Sequence, residues 1–372
     1  MTKNFKTAQS KDQNIDIAVN SIKEQLAGVN TQLIIYFVSS IYPTEAISKG
    51  MAAAFPGVRT IGCTTCGEMG PHEMGDNSIV AMAWGYESLK SLNIEVLENI
   101  KTDEACVSKA FASFEKSLKT PMKTLDPNRY VGILLIDGWS ACEERINDIL
   151  GNLTNVPFIG GSAGDDLTYK GTYLYVDGQV YNNAAVLMLM EPSNGFTIFK
   201  TQSFKSTKKT LVPTKVDEKR RMVIEFDGKP ATEAFAESLG VSESDLPHLS
   251  SKYALALVFD EQNYFMRATQ FIENKSIIFG CAIKEGLKLT IMEPGDIVED
   301  TRKDLEKAKQ MTGSLQAIID FNCGYRFIAL RRINHLQGYF NLFQDIETIG
   351  FGTYGECYIG YMNHTSVMLL LK

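Results

Sequence analysis

The feature that most constrains this chain is that it contains parts of itself. Ile61-Gly62-Cys63-Thr64-Thr65-Cys66-Gly67-Glu68 returns near the end as Ile349-Gly350-x-x-Thr353-x-Gly355-Glu356, with the same residue at five positions. A second series runs at a constant offset of 98 residues, setting Ile61-Gly62 on Ile159-Gly160, Glu45 on Glu143 and Glu68 on Asp166. The apolar run Leu33 to Val38 falls on Val131 to Ile136 in the same way. Repetition of a strand, a Gly/Ser/Thr turn and a carboxylate implies one supersecondary unit used three times, each unit burying its apolar face against its neighbours.

The periodicity around each motif gives the unit's contents. Ile15, Ala18, Ile22 and Leu26 share one helical face, Leu33 to Val38 reads as a buried strand, and Pro43 opens a helix that Pro56-Gly57 closes. Val58 to Gly62 is a strand, 67–75 a glycine-rich loop, and Ser78 to Trp84 and Leu89 to Val96 are further strands. The second unit repeats this order. A helix over 103–118 precedes the strand Val131 to Ile136, and Ser140 caps a helix with Glu143 three residues on, a capping box. Asp177-Gly178 signals a type I′ hairpin between 172–176 and 180–190. The third unit holds a helix at 296–311, a strand from Leu315 to Phe321 and a helix after Cys323.

Between units two and three, 222–292 reads as a run of strands with one helix after Pro230. The expected fold is therefore mixed α/β, two regions with diverged helix–strand–helix–strand–strand repeats whose mixed sheets are covered by helices. Residues 1–29 are a lead and first helix, with 1–12 expected to fray; 30–218 form the first region and 219–372 the second, the boundary falling near 215–222.

Composition excludes several classes. With 37 basic against 44 acidic residues the chain carries net −7, which lacks the electrostatic footprint of a nucleic-acid binder. Lys200 to Lys209, with Lys215 and Lys219-Arg220-Arg221, is the local exception and reads as a solvated face. Seven thinly spread cysteines, the lack of an apolar leader and the lack of a spanning apolar run point to a reducing cytoplasm and no membrane insertion.

The recurring loop has the makings of a ligand site. Glycines admit close approach, turn N–H groups form anion-binding concavities, and a terminal carboxylate accepts from an amine or hydroxyl. The alternative is that the carboxylates only cap nearby backbone. Cys63-Thr-Thr-Cys66 is a C-x-x-C, but a loop and strands follow rather than the helix that lowers a thioredoxin-like thiol's pKa, and no second C-x-x-C completes a zinc site. Of the four histidines, His72 sits in the loop after the first motif and none forms a metal-ligand pair. Arg326 follows a buried strand, where it suits either a ligand carboxylate or an internal acid.

Taken together, Ile61 to Glu68, Asp137-Gly138 with Glu143-Glu144, Val156-Pro-Phe-Ile-Gly-Gly-Ser-Ala-Gly-Asp-Asp166, Tyr173 to Gly178, Phe226-Asp-Gly-Lys-Pro-Ala231, Cys323 with Arg326, Tyr354-Gly-Glu356 and Asn363-His-Thr365 resemble the FIST proteins. These are a bacterial and archaeal sensory family with N-terminal and C-terminal FIST regions, here 30–218 and 219–372. The resemblance implies a signal-input module that binds a small amino-acid-like metabolite and signals through a separate partner. Some stand-alone members are heme-binding nitric oxide sensors that act on a histidine kinase; heme here would fall to His72, His248 or a cysteine. A thiol-dependent enzyme using Cys63 and Cys66 is a further alternative. The expected ligand lining is Gly67, Glu68, Gly161, Ser162, Asp165, Asp166, Arg326, Glu356, Asn363 and Thr365, with no catalytic residue assigned.

Overall fold

A computed structural model describes residues 3–249, 252–260 and 263–372. It has mixed α/β architecture in which the three units share one element order. Unit one runs through an outer strand Phe5–Ser10, helix Ile15–Leu26, central strand Thr31–Val38, helix Thr44–Ala54, strand Arg59–Thr64, hairpin Glu68–Met69/Met74–Gly75 and final strand Ile79–Gly85. Unit two repeats it as Leu89–Glu98, Cys106–Leu118, Val131–Ile136, Glu143–Leu153, Phe158–Ser162, Leu174–Val176/Gln179–Tyr181 and Ala184–Pro192. Unit three is Phe196–Gln202, Ile297–Thr312, Ala317–Cys323, Gly324–Arg332, Glu347–Thr353, Glu356–Tyr358/Tyr361–Met362 and Thr365–Leu371.

Of the leading strands, the sequence pattern counts Leu89–Glu98 with the first unit and does not contain Phe5–Ser10 or Phe196–Gln202, and residues 5–10 form a strand rather than a frayed lead. Phe5–Ser10 pairs antiparallel with Ile79–Trp84, and Phe5 and Ala8 are buried. The strand is mostly polar, so its period was invisible; its place is set by the sheet edge it completes. The Asp177-Gly178 hairpin forms as expected, both residues taking positive φ. The stretch after it divides, Gln179–Tyr181 closing the hairpin and Ala184–Pro192 crossing to another sheet.

In every unit the central strand pairs parallel with the next strand and antiparallel with the final one. The hairpin does not join its own unit's sheet. Glu68–Gly75 extends the third sheet through Glu68↔Phe351, Leu174–Tyr181 extends the first through Leu174↔Cys63, and Glu356–Met362 extends the second through Glu356↔Gly161. Each sheet thus ends on a hairpin donated around a ring of three. The inner faces meet in one core, to which the central strands give matching triplets: Leu33, Ile35, Phe37; Val131, Ile133, Leu135; Ala317, Ile319, Phe321. The alternate residues face the helices, so these strands are buried on both faces; the first two read as continuous apolar runs, whereas the third carries Asp320 and Asn322 on its helix side.

The glycine of each Ile-Gly pair has a steric reason. A Cβ on Gly62 would come within 2.2 Å of the Tyr36 carbonyl oxygen, one on Gly160 within 1.9 Å of that of Leu134, and one on Gly350 within 2.7 Å of that of Asp320. In each case the carbonyl belongs to the paired central strand.

Between the outer strand and first helix of unit three lies an insertion spanning 204–294. It forms two small antiparallel sheets and the helix Ala231–Leu239, closed over their own core of Leu211, Val223, Phe226, Phe235, Leu255, Ile277 and Phe279. Residues 215–222 lie inside it.

Candidate functional site

The loops at the ends of the parallel strands interlock. The Cys66 N–H donates to the Gly352 carbonyl and the Gly352 N–H to Gly67; the Tyr354 N–H donates to Ser162 and the Ser162 N–H to Gly355. The third junction begins the same way, Gly164 N–H to the Thr64 carbonyl, and then departs because unit two inserts a loop over 163–173. That loop corrects the offset alignment. Strand register sets Leu174, not Asp166, level with Glu68 and Glu356.

Glu68 and Glu356 are built alike. One oxygen of Glu68 accepts from the Thr65 hydroxyl and the other from the Ser78 N–H (3.0 Å) and hydroxyl (2.9 Å). Glu356 accepts from the Thr353 hydroxyl and from the Thr365 N–H (3.1 Å) and hydroxyl (2.6 Å). Both are fully buried, and burial pushes each carboxyl up to about 8 against the pull of these hydroxyls. Gly67 and Glu68 therefore belong to one strand-end cluster, and Glu356 and Thr365 to another. Asp166 fastens unit two to unit one, accepting from the Ser39 hydroxyl (2.8 Å) and from the Ser40 N–H (2.7 Å) and hydroxyl (2.6 Å).

Gly161, Ser162, Asp165 and Asn363 lie behind the junction of unit two with the insertion, but none of the expected lining residues lines the cavity found there. This cavity of about 250 Å³ is lined by Gly138, Trp139, Tyr169, Arg221, Phe271, Gly280, Tyr354 and Tyr361, among others. Arg221 is its fixed point. Its Nη2 lies 2.6 Å from Glu143 Oε2 and 2.5 Å from Glu144 Oε2, its Nη1 donates to the Gly280 carbonyl, and its guanidinium stands 5.2 Å from the Tyr361 ring centre. Glu143 is wholly buried, and its other oxygen accepts from Ser162 (3.1 Å) and Tyr361 (3.4 Å). Burial pushes the Glu143 carboxyl up, with the Arg221 charge pulling the other way. Glu144 also accepts from the Ala282 N–H at 2.6 Å, so two consecutive acids of one helix terminus hold the insertion.

Two sequence expectations are corrected here. Ser140 and Glu143 do not form a capping box: the helix starts at Glu143, Ser140 accepts from the Cys142 N–H, and Glu143 turns to Arg221 instead. Arg221 is not part of a solvated basic face, although Lys205, Lys208 and Lys209 are exposed as that reading expected.

On the outer side of the cavity, four aromatic rings form a wall. Tyr169 makes edge contacts with Trp139 (5.9 Å) and Phe271 (5.7 Å) and stacks on Tyr354 (5.9 Å). Trp139, Tyr169 and Phe271 are 43%, 40% and 47% exposed, an unusual concentration of large rings at one place. Asp165 sets this wall. It accepts from Tyr354 and from the N–H groups of Tyr169 (3.1 Å) and Gly171 (3.0 Å), which rigidifies the loop. Asn363 lies behind, accepting from the Ala268 N–H (3.2 Å) and the Cys281 thiol (3.0 Å). Gly161 pairs with Glu356 in the second sheet, next to Ser162. Arg326 lies apart, under the third sheet.

The aromatic wall and Arg221 were missed in the sequence. Trp139 directly follows the noted Asp137-Gly138, and Tyr354 occupies the variable position of the repeated motif, matched by Cys66 and Gly164. Those were the only available signals.

Other candidates fit their chemistry poorly. Cys63 and Cys66 are buried, and burial pushes both thiols well up, opposite to what a nucleophilic thiolate needs. His72 rests its Nε2 3.2 Å from Gln25 on a hairpin turn and lines none of the larger cavities, and His364 is wedged between the rings of Phe204 and Tyr325, both 4.9 Å away. His72 is exposed and has no enclosing cavity for a heme, and both sides of the His364 ring are taken. His248 is on the turn Leu246–Leu249, and its side chain is outside the described residues. Among the described residues no group of three or more His, Cys, Asp or Glu could hold a metal ion, and no helix is long and apolar enough to cross a membrane.

Comparison with known proteins agrees with this architecture. An uncharacterized protein of Methanocaldococcus jannaschii is 24% identical over 300 residues, which cover 74% of this chain. The match spans 57% of that relative's length. The FIST N domain model matches residues 32–229 and the FIST C domain model residues 231–358, meeting inside the insertion just after Arg221. Matched over most of its length by both models in order, the chain belongs to the FIST family, whose domains are associated with sensing and small-ligand binding.

Proposed function

We propose that this chain is the ligand-binding component of a cytoplasmic signalling system, taking an amino-acid-like metabolite in the junction cavity and acting through a separate partner. The observation that carries this reading is the cavity's position. Its walls come from unit two, unit three and the insertion, so a ligand there touches all the parts whose arrangement binding can alter. The aromatic wall suits the ammonium or apolar body of such a ligand through cation–π and stacking contacts. Lys219 on the opposite side suits its carboxylate as a charge-assisted donor, Arg220 and Arg221 being engaged with Glu273 and with Glu143 and Glu144. Binding biases output to the extent that it favours one seating of the insertion over another. A histidine kinase is the partner class that the family resemblance brings forward.

The test is a thermal-shift screen of amino acids and related metabolites on the wild-type chain and on Trp139→Ala and Tyr169→Ala. A ligand at tenfold excess over Kd contributes about 1.4 kcal/mol, a shift of a few degrees in a protein of this size. The expected result is a stabilising compound whose effect is lost in both variants while their unliganded midpoints stay near wild type. A screen without any stabilising compound, or one whose hit ignores both substitutions, overturns the assignment to this cavity.

A further inference from the structure

Charge is unevenly placed around the junction cavity. Lys219, Arg220 and Arg221 contribute to its lining, and no aspartate or glutamate does. The carboxylates nearby are already served. Glu143 and Glu144 share Arg221, and Glu273 takes Arg220 through two bonds of 3.3 and 2.8 Å. Asp165 accepts from the Tyr354 hydroxyl and from N–H groups of its own loop. One cation is left over. Lys219 is exposed and belongs to none of the ion pairs among the described residues, whereas both of its neighbours in sequence do.

The opposite wall is aromatic. Trp139, Tyr169 and Phe271 are all partly exposed there, with Tyr354 stacked on Tyr169, and such rings present faces and edges to a flat apolar body. A ligand ammonium finds less. It meets no free carboxylate, it shares the cavity with the Lys219 charge, and the Tyr361 ring already has the Arg221 guanidinium 5.2 Å from its centre. The Gly280 carbonyl, a possible acceptor for an amine, is taken by Arg221 Nη1 at 3.0 Å.

We propose that the ligand of this cavity is an aromatic carboxylic acid, an aryl ring on a short chain ending in a carboxylate, and that an α-ammonium group adds nothing to its binding. This rests on the reading of the junction cavity as the ligand site and narrows the ligand class within it. The ring lies against Trp139, Tyr169 and Phe271, and the carboxylate accepts a charge-assisted hydrogen bond from the Lys219 ammonium. The cavity's volume, about 250 Å³, admits one ring system with its acid chain and excludes a peptide of several residues. A monoanion also balances the charge that the lining leaves over.

The full chain is titrated with hydrocinnamate, phenylalanine, phenethylamine and isocaproate, read by thermal shift and by Trp139 fluorescence, with Trp139→Phe as the blank. Hydrocinnamate raises the midpoint saturably and changes the Trp139 signal, with half-saturation within about threefold of that of phenylalanine. Isocaproate, an acid without a ring, needs about tenfold more, and phenethylamine has no saturable effect. In Lys219→Met, whose unliganded midpoint stays near wild type, half-saturation by hydrocinnamate rises about tenfold, and Lys219→Arg restores most of it. Saturable binding of phenethylamine, binding of phenylalanine without hydrocinnamate, equal binding of isocaproate, or a hydrocinnamate response that ignores Lys219→Met each overturns the proposal while leaving the cavity as the ligand site. No saturable response to any of the four overturns it too, and the metabolite screen then separates the failures. A hit there that is lost in Trp139→Ala keeps the cavity as the ligand site, and a screen without a hit removes both readings.

Discussion

At the scale of single residues, the repeated motif spends its carboxylates on structure. Glu68 and Glu356 each open a hairpin strand and accept from two hydroxyls and one backbone N–H, and burial pushes both carboxyls up to about 8. The folded pKa lies above the unfolded value near 4.3, so the folded state holds a proton that the unfolded state has released. Their contribution is fully present below the unfolded pKa and is lost as pH rises to about 8. His364 acts in the opposite sense, but only below its unfolded value near 6.5. Between pH 6.5 and 8, then, stability should fall with pH by up to about 1.4 kcal/mol per unit for each glutamate. In Glu68→Gln that slope, read from urea midpoints, should be shallower than in wild type; an unchanged slope contradicts the assignment. Arg221 gives a second residue-scale prediction. Arg221→Met leaves Glu143 buried without its partner and should cost about 3–5 kcal/mol, with Arg221→Met/Glu143→Gln less damaging than the single change. Urea unfolding of the two variants checks the order.

At the scale of elements, the matched glycines are the most exacting positions. Ala at Gly160 forces a Cβ onto the Leu134 carbonyl, and the same change at Gly350 meets a carbonyl at longer range. Gly160→Ala should therefore cost about 3 kcal/mol or more, and Gly350→Ala measurably less, in thermal or urea unfolding. These elements were also the most legible. Central strands buried on both faces, such as Val131–Ile136, declare themselves as apolar runs, and Ile15–Leu26 shows its buried stripe at helical spacing. Phe5–Ser10 could not be read because its identity depends on a ladder with Ile79–Trp84 rather than on its own pattern. The junction cavity was hidden for a related reason. Trp139, Tyr169, Phe271 and Tyr354 come from three parts of the chain and become a wall only after the units and the insertion close on one another. Repeats report what is alike, whereas this wall is built from positions at which the repeats differ.

At the scale of the whole molecule, the exchange of hairpins decides what can fold alone. A chain ending at residue 195 keeps two complete units but loses the strands that receive Glu68–Gly75, the hairpin that caps the second sheet, and the Ala317, Ile319 and Phe321 side of the central core. Such a fragment should show no cooperative thermal transition and should bind a hydrophobic dye, although it contains most of the FIST N match. A sharp transition from a monomeric fragment contradicts this. The insertion differs, having its own apolar centre and entering through one connection on each side.

The same exchange has a mechanical meaning. Three sheets that each grip the next form a closed linkage, and in a closed linkage no member tilts without dragging the other two. The part carried outside the ring is free of that constraint. The insertion is that part, latched at Arg221 to two acids of a single helix end. Asn363, which accepts from Ala268 and Cys281, and Tyr325, which donates to the Thr269 carbonyl, brace it beside that latch.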